Sequence, residues 1–385
     1  MIMHCTKKLL DQLKIKPELA VDEEPLFSWH ANLVTLNRKK TVVLVNDKNR
    51  YIIVLYGLKA KDFKALNNII INAIRETFMD ECIKGEIIEE YLGHSGEIVY
   101  SKTKDKSSVS RMNNSCEYVY TFQELLKNDS ICQSTISKRA NHLLVGFGRN
   151  NYEQPNELLY KDLEEFAGKP IFSCTAVVLN VNLSLINQNV WRRIVVPANI
   201  TFVMLHKILQ EAFGWMDYHL HEFFIYENRK SQNIYSSPDY INHPAYNKEG
   251  YKPVINLVAD EEAFDYEDEI PMKLEAGIKL SEYLLQYKRM KYIYDFGDEW
   301  QHYIEVVKVI DDYDKNYPVC VDGKGSTPPE DVGGAPGYED FLKIISDKSN
   351  PEYRETIEWA KSLNYSDFDI LDVNRKIKIT CNTGL

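Results

Sequence analysis

The run Tyr294-Asp295-Phe296-Gly297-Asp298-Glu299-Trp300-Gln301-His302 crowds carboxylates, an indole and an imidazole around a Gly-Asp pair. An acid and an imidazole held together serve general acid–base work or metal ligation. His219 and His221 are two apart in a segment that reads as a strand, so both rings would leave the same face and clasp one ion. With His302 or Asp295 as a third ligand, and Asp295 or Asp298 as base, the set would form an open catalytic centre for zinc or manganese. The plainer alternatives are hydrogen-bonded strand histidines, and an Asp295–His302 pair that accepts turn N–H groups and orients a ring.

These residues need elements to hold them. Lys291–Ile310 reads as a hairpin closed at Gly297-Asp298, a register that opposes Asp295 to Trp300 and Ile293 to His302. Asp295, Trp300 and His302 would then share one face, the acid and imidazole lying diagonally about 7–8 Å apart at the backbone. Upstream, Leu179, Val181, Leu183 and Leu185 alternate with polar residues, as one buried strand face requires, and Val190–Val196 returns beside them. A helix follows over Phe202–Phe213, capped by Thr201 and ended by Gly214, and then a strand over His219–Tyr226. Strand, strand, helix, strand resembles the opening of a β-grasp domain within an α+β fold. Tyr317–Tyr338 reads as a long loop, with closing helices at Glu339–Ser346 and Pro351–Leu363. Inside that loop Glu330 and Asp331 stand between Pro328-Pro329 and Gly333-Gly334, where turn capping competes with ligand or metal contact. Arg192 and Arg193 leave opposite faces of their strand.

A chain of 385 residues predicts two domains, here 1–150 and 171–378 joined through a polar segment near Gly148–Asn156. The first reads as α+β: a strand at Met1–Cys5, a helix at Lys7–Leu13, an antiparallel meander through Leu33–Leu36, Thr41–Val45 and Tyr51–Tyr56, and helices at Asp62–Cys82, Phe122–Leu126 and Ile136–Leu144. Lys102, Lys104, Lys106 and Arg111, scattered among serines, read as an exposed loop before a nucleic-acid contact. A net charge of −11 argues against a surface that attracts phosphate backbones everywhere. The acidic run from Asp260 to Glu269 reads as a solvated loop or a cation-attracting rim. Seven scattered cysteines without a C-x-x-C pair, together with no signal-like or membrane-spanning run, predict a soluble cytoplasmic protein. Asp295-Phe296-Gly297 lacks every other part of a kinase site, and Gly323-Lys324-Gly325-Ser326-Thr327 has the wrong spacing for a phosphate loop.

Several ordered motifs together carry a resemblance: Trp191-Arg192-Arg193-Ile194, Leu205-His206, Phe213-Gly214-Trp215, His219-Leu220-His221-Glu222-Phe223, the Tyr294–His302 run, and Pro328-Pro329-Glu330-Asp331-Val332-Gly333-Gly334 with Gly337-Tyr338. Over about 171–376 the chain resembles the plasmid pRiA4b ORF-3-like family, some of whose members are described as passengers of insertion elements. The resolvase description given to some members finds no support here, since neither a serine-resolvase nucleophile motif nor an Arg-His-Arg-Tyr set is present. Many members carry cysteines flanking Pro-Pro-Glu-Asp; Thr327 and Val332 stand there, which weakens a thiolate-metal reading. The first 145 or so residues, with Cys5–Leu10 and Phe27–Asn32, are similar to an uncharacterised domain of Gram-positive bacteria. The leading expectation is therefore a recognition protein of a mobile-element context, with Arg192, Trp215, Trp300, Glu330 and Asp331 as binding residues and protein or nucleic acid as partner. The alternative is a metal-dependent hydrolase using His219, His221, Asp295 and His302.

Overall fold

The computed structural model describes all residues except 20–23, 149–150, 186, 231–249, 266–269 and 384–385. The acidic run at Asp260–Glu269 thus lies partly outside the described residues. The chain forms two units, Met1–Ser173 and Cys174–Cys381, each with its own apolar core.

In the first unit five strands, β1 (Ile2–Cys5), β2 (Ser28–Leu36), β3 (Lys39–Asn46), β4 (Ile52–Leu55) and β5 (Val99–Lys102), form a sheet of order β4-β3-β2-β1-β5. The meander β2-β3-β4 is antiparallel, whereas β1 runs parallel to both its neighbours. Two short strands, β6 (Val145–Gly146) and β7 (Tyr152–Glu153), pair by themselves. The helix Pro155–Ala167 joins this unit because Leu159, Tyr160 and Leu163 enter its core. The lysine- and serine-rich tract expected as a loop is instead, from Lys106 to Thr121, a helix. Asp105 caps it by accepting from the Ser108 N–H, and Met112, Cys116 and Val119 supply a buried stripe that the surrounding polar residues mask in the sequence.

The second unit is built on β8 (Cys174–Leu183), β9 (Trp191–Pro197), β10 (His221–Lys230), β11 (Tyr251–Val258), β12 (Met272–Leu274), β13 (Arg289–Tyr294), β14 (Trp300–Tyr313) and β15 (Val319–Lys324). They form one mixed sheet of order β12-β11-β10-β13-β14-β8-β9-β15, with only β11 and β12 parallel. The α+β reading holds in both units, and the order strand, strand, helix, strand is present in β8, β9, Phe202–Phe213 and β10. The helix forms as its residues require: Thr201 Oγ1 accepts from the Met204 N–H, and Gly214 ends it in the left-handed region. Phe202, Leu205, Ile208, Leu209 and Phe213 face the sheet core.

Two expectations are corrected here. The segment Tyr317–Tyr338 is not all loop, since β15 pairs with the edge of β9 and the helix Gly334–Ser346 begins five residues before Glu339. Gly323 and Gly325 disguise the strand, yet both are demanded by contact: a Cβ at Gly323 would meet the Phe368 ring, and one at Gly325 the Asn189 carbonyl. The hairpin between β13 and β14 is not closed by two residues. The ladder ends at Tyr294 opposite Trp300, with Tyr292 opposite His302, and leaves Asp295–Glu299 as a five-residue loop.

A candidate metal centre at the Asp295–Glu299 loop

The loop has a physical cause in its own residues. Asp295 and Glu299 both take the left-handed conformation, at φ 57° and 56°. Asp295 Oδ1 accepts from the Gly297 N–H at 2.8 Å, and the Glu299 N–H closes on the Asp295 carbonyl at 2.6 Å. Tyr292, Tyr294, Trp300 and His302 are thereby all turned into the core, so the register is set by aromatic burial and not by a glycine turn. A second loop lies against the first. Asp298 Oδ2 accepts from the Gly333 N–H at 3.2 Å, and a Cβ at Gly334 would stand 2.9 Å from the Asp298 carbonyl oxygen. A Cβ at Gly337 would collide with the Val332 carbonyl, so this turn admits only glycine at its second end.

Between the two loops stands His219, 30% exposed. Its Nε2 lies 3.1 Å from Asp331 Oδ1, 3.7 Å from Asp295 Oδ2 and 4.0 Å from Glu330 Oε2, and forms a hydrogen bond with none of them. One ligand atom each from His219, Asp295 and Asp331 falls within 4.8 Å of the others. Glu330 is buried with only half its carboxylate satisfied among the described residues: Oε1 accepts from the Met216 N–H at 2.8 Å and from the Tyr294 hydroxyl at 3.0 Å, while Oε2 accepts no hydrogen bond from them. Burial raises the Glu330 pKa, against those two hydrogen bonds and the neighbouring His219. The three carboxylates repel one another unless a cation lies among them, and the His219 ring offers a nitrogen beside them. Oxygen ligands with a single ring nitrogen suit a hard or borderline divalent ion.

The other expected site residues go elsewhere. His221 opens β10 and does not share the side of His219, because the strand periodicity stops before residue 219. Its Nε2 is 2.9 Å from Glu275 Oε1, and its ring stacks on His206 at 3.5 Å and 3°. His206 in turn contacts Asp217 Oδ1 at 2.7 Å and the Tyr292 hydroxyl at 2.8 Å; burial lowers its pKa, against the pull of Asp217. Trp215 and Trp300 are buried, Trp215 donating its Nε1–H to the Pro328 carbonyl at 3.0 Å and stacking on Tyr294. Arg192 is 2% exposed, and all five of its donors are used inside the unit. Asp298 and Glu330 act as turn caps as well as site neighbours. His206, Asp217 and Glu275 are not among the site residues expected from the sequence, where Leu205-His206 enters only as one of the motifs of the resemblance.

His302 is fully buried among Phe213, Trp215 and Tyr292, its Nδ1 3.2 Å from the Trp300 carbonyl, and it does not join the His219 group. Burial pushes its pKa from 6.5 down to about 3. The unfolded chain therefore takes up a proton near pH 6.5 that the folded chain refuses until about pH 3, so stability from the neutral ring is complete above 6.5 and is lost as the pH falls between those values. The loss is on the order of 4–5 kcal/mol as an upper bound. Urea unfolding from pH 7 to pH 4 should show that acid slope flattened in His302→Gln; an unchanged slope would mean that the ring is not the group responsible.

Residues 175–376 match the family described as plasmid pRiA4b ORF-3-like protein, and residues 2–158 match a domain of unknown function, DUF6933. Uncharacterized protein y4hQ of Sinorhizobium fredii is 31% identical over 191 residues, covering 50% of this chain and 84% of that protein. The crystal structure of a protein of unknown function, MM3350 of Methanosarcina mazei, is 31% identical, covers 52% of this chain and 98% of that one, and superposes with a TM-score of 0.39. Among the described residues no helix is long and apolar enough to cross a membrane.

Proposed function

The chain belongs to the plasmid pRiA4b ORF-3-like family, and on that premise we propose that its carboxy-terminal unit binds one divalent metal ion through His219, Asp295 and Asp331 and uses it for hydrolysis. The observation that carries this reading is the His219 Nε2, without a hydrogen bond among the described residues and ringed by carboxylate oxygens of Asp295, Glu330 and Asp331 at 3.1–4.0 Å. Bound there, a divalent ion supplies Lewis acidity. Glu330 is the base beside it: Met216 N–H and the Tyr294 hydroxyl hold Oε1, and Oε2 is left to accept a proton. Asp298 acts indirectly, fixing the Gly333 turn that delivers Asp331. Manganese is the ion best matched to two carboxylate oxygens and one nitrogen, with zinc as the comparison. Equilibrium dialysis against each, followed by elemental analysis, is expected to give one ion per chain and metal-dependent cleavage in an ester and phosphoester panel. Metal-free protein after dialysis would end the proposal.

A second reading has its own observation. Tyr218, Leu220 and Phe296 are 68%, 51% and 54% exposed, and the Asp295 N–H bonds the Leu220 carbonyl, so an apolar rim borders the cluster. Such a rim suits recognition of a protein partner. It suits nucleic acid less well, because Arg192 is internal, Arg193 lies 3.9 Å from Asp322, and the centre itself is acidic.

A further inference from the structure

The first unit holds a second cluster of chemistry. His30 on β2 is 3% exposed and its Nδ1 lies 2.5 Å from Asp47 Oδ1, while its Nε2 has no hydrogen-bond partner among the described residues. Lys104 reaches Asp47 Oδ2 at 3.1 Å, so the carboxylate is already neutralised. These residues line a cleft of about 160 Å³ together with Arg50, Ser108 and Arg111. Arg50 and Arg111 also line an adjoining hollow of about 350 Å³ whose wall includes Tyr118 and Phe147. The Arg50 guanidinium lies 3.9 Å over the Phe147 ring and donates to the Gly146 carbonyl, but its buried Nε is unpaired. Arg111 forms no ion pair with any described residue.

We propose that this cleft binds the phosphate of a nucleotide-sized ligand, with Arg50 and Arg111 on the anion, His30 Nε2 at its inner wall and the organic part in the hollow beside Tyr118 and Phe147. Two guanidiniums share this wall, and the one carboxylate among the lining residues, Asp47, is already engaged by His30 and Lys104, so an added anion is stabilised there. Their mutual effect is visible in Arg50, whose pKa is lowered by burial and then by the charge of Arg111. Because Nδ1–H is donated to Asp47, Nε2 is the ring atom left to the cleft: the second proton of a phosphate monoester, lost near pH 6, can pass to it, leaving an Nε2–H that donates to an oxygen of the dianion. Ser108 Oγ supplies a further hydroxyl from the first turn of its helix. The hollow has an aromatic surface for a base, which a bare anion would leave empty.

The test is calorimetric titration of the full chain with adenosine monophosphate and with inorganic phosphate. Adenosine monophosphate is expected to bind saturably and more tightly than inorganic phosphate. Arg111→Gln, an exposed position whose loss leaves the core intact, should weaken binding by roughly tenfold or more. His30→Gln should weaken it as well, and Lys16→Gln, exposed and outside the lining of both hollows, should not. Absence of saturable binding by both probes overturns the site. Equal affinity in wild type and Arg111→Gln overturns the assignment of the anion, and nucleotide binding no tighter than inorganic phosphate overturns that of the hollow.

Discussion

Arg192→Met is expected to cost the carboxy-terminal unit about 3–5 kcal/mol of stability. Arg192 Nε donates to the Ala212 carbonyl at 2.8 Å, Nη1 to those of Trp191 and Lys324 at 2.9 Å each, and Nη2 to the Gly325 carbonyl and Thr327 Oγ1 at 3.1 Å each. Its face packs on Phe368 at 4.2 Å and Phe213 at 5.0 Å. Burial brings its pKa down to about 10, so it stays charged at neutral pH while meeting only neutral acceptors. Methionine would fill most of the volume and take the Arg192 donor from five acceptors, beside a loop packed closely enough that a Cβ at Gly325 would stand 2.6 Å from the Asn189 carbonyl. Lys would restore the charge but not the fork of donors, and should recover only part of the loss. Urea unfolding followed by tryptophan fluorescence reads this well, since Trp191, Trp215, Trp300 and Trp359 belong to this unit and only Trp29 to the other. A loss under about 1 kcal/mol would show that water replaces the guanidinium cheaply.

Arg192 also marks what a sequence discloses. Its alternation with Arg193 places it on the inner face, but nothing in a strand pattern tells a clasp from a ligand-binding arginine; only the five acceptors from four segments do. Local signals were legible where they are local. Thr201 and Gly214 bound their helix, and the Leu179, Val181, Leu183 face is buried. The hairpin register was not, because a five-residue loop requires Asp295 and Glu299 in a left-handed conformation that non-glycine residues rarely take. That one shift moved Asp295 off the face of His302 and toward His219. The acid does meet an imidazole, and it is the one before β10. Glu275, 54 residues from His221, could be joined to it only by the packed fold.

The same geometry fixes the most demanding expectation, that His219→Ala abolishes metal binding and Asp331→Asn weakens it by roughly one to two orders of magnitude. Asp331 is the cleaner change: it is exposed, it stands at φ 55°, and asparagine accepts that conformation, so the fold has no reason to respond. Manganese at a hundred times its dissociation constant should stabilise the wild-type chain by about 2.7 kcal/mol, and that increment should shrink in Asp331→Asn and vanish in His219→Ala. His302→Gln separates this centre from the one the sequence first suggested. With His302 inside the aromatic core, its replacement should lower acid sensitivity yet leave manganese stoichiometry, read by electron paramagnetic resonance, at one per folded chain. Loss of manganese from His302→Gln with retention in His219→Ala would reverse the assignment and place the ion within the β13–β14 core instead of between the loops.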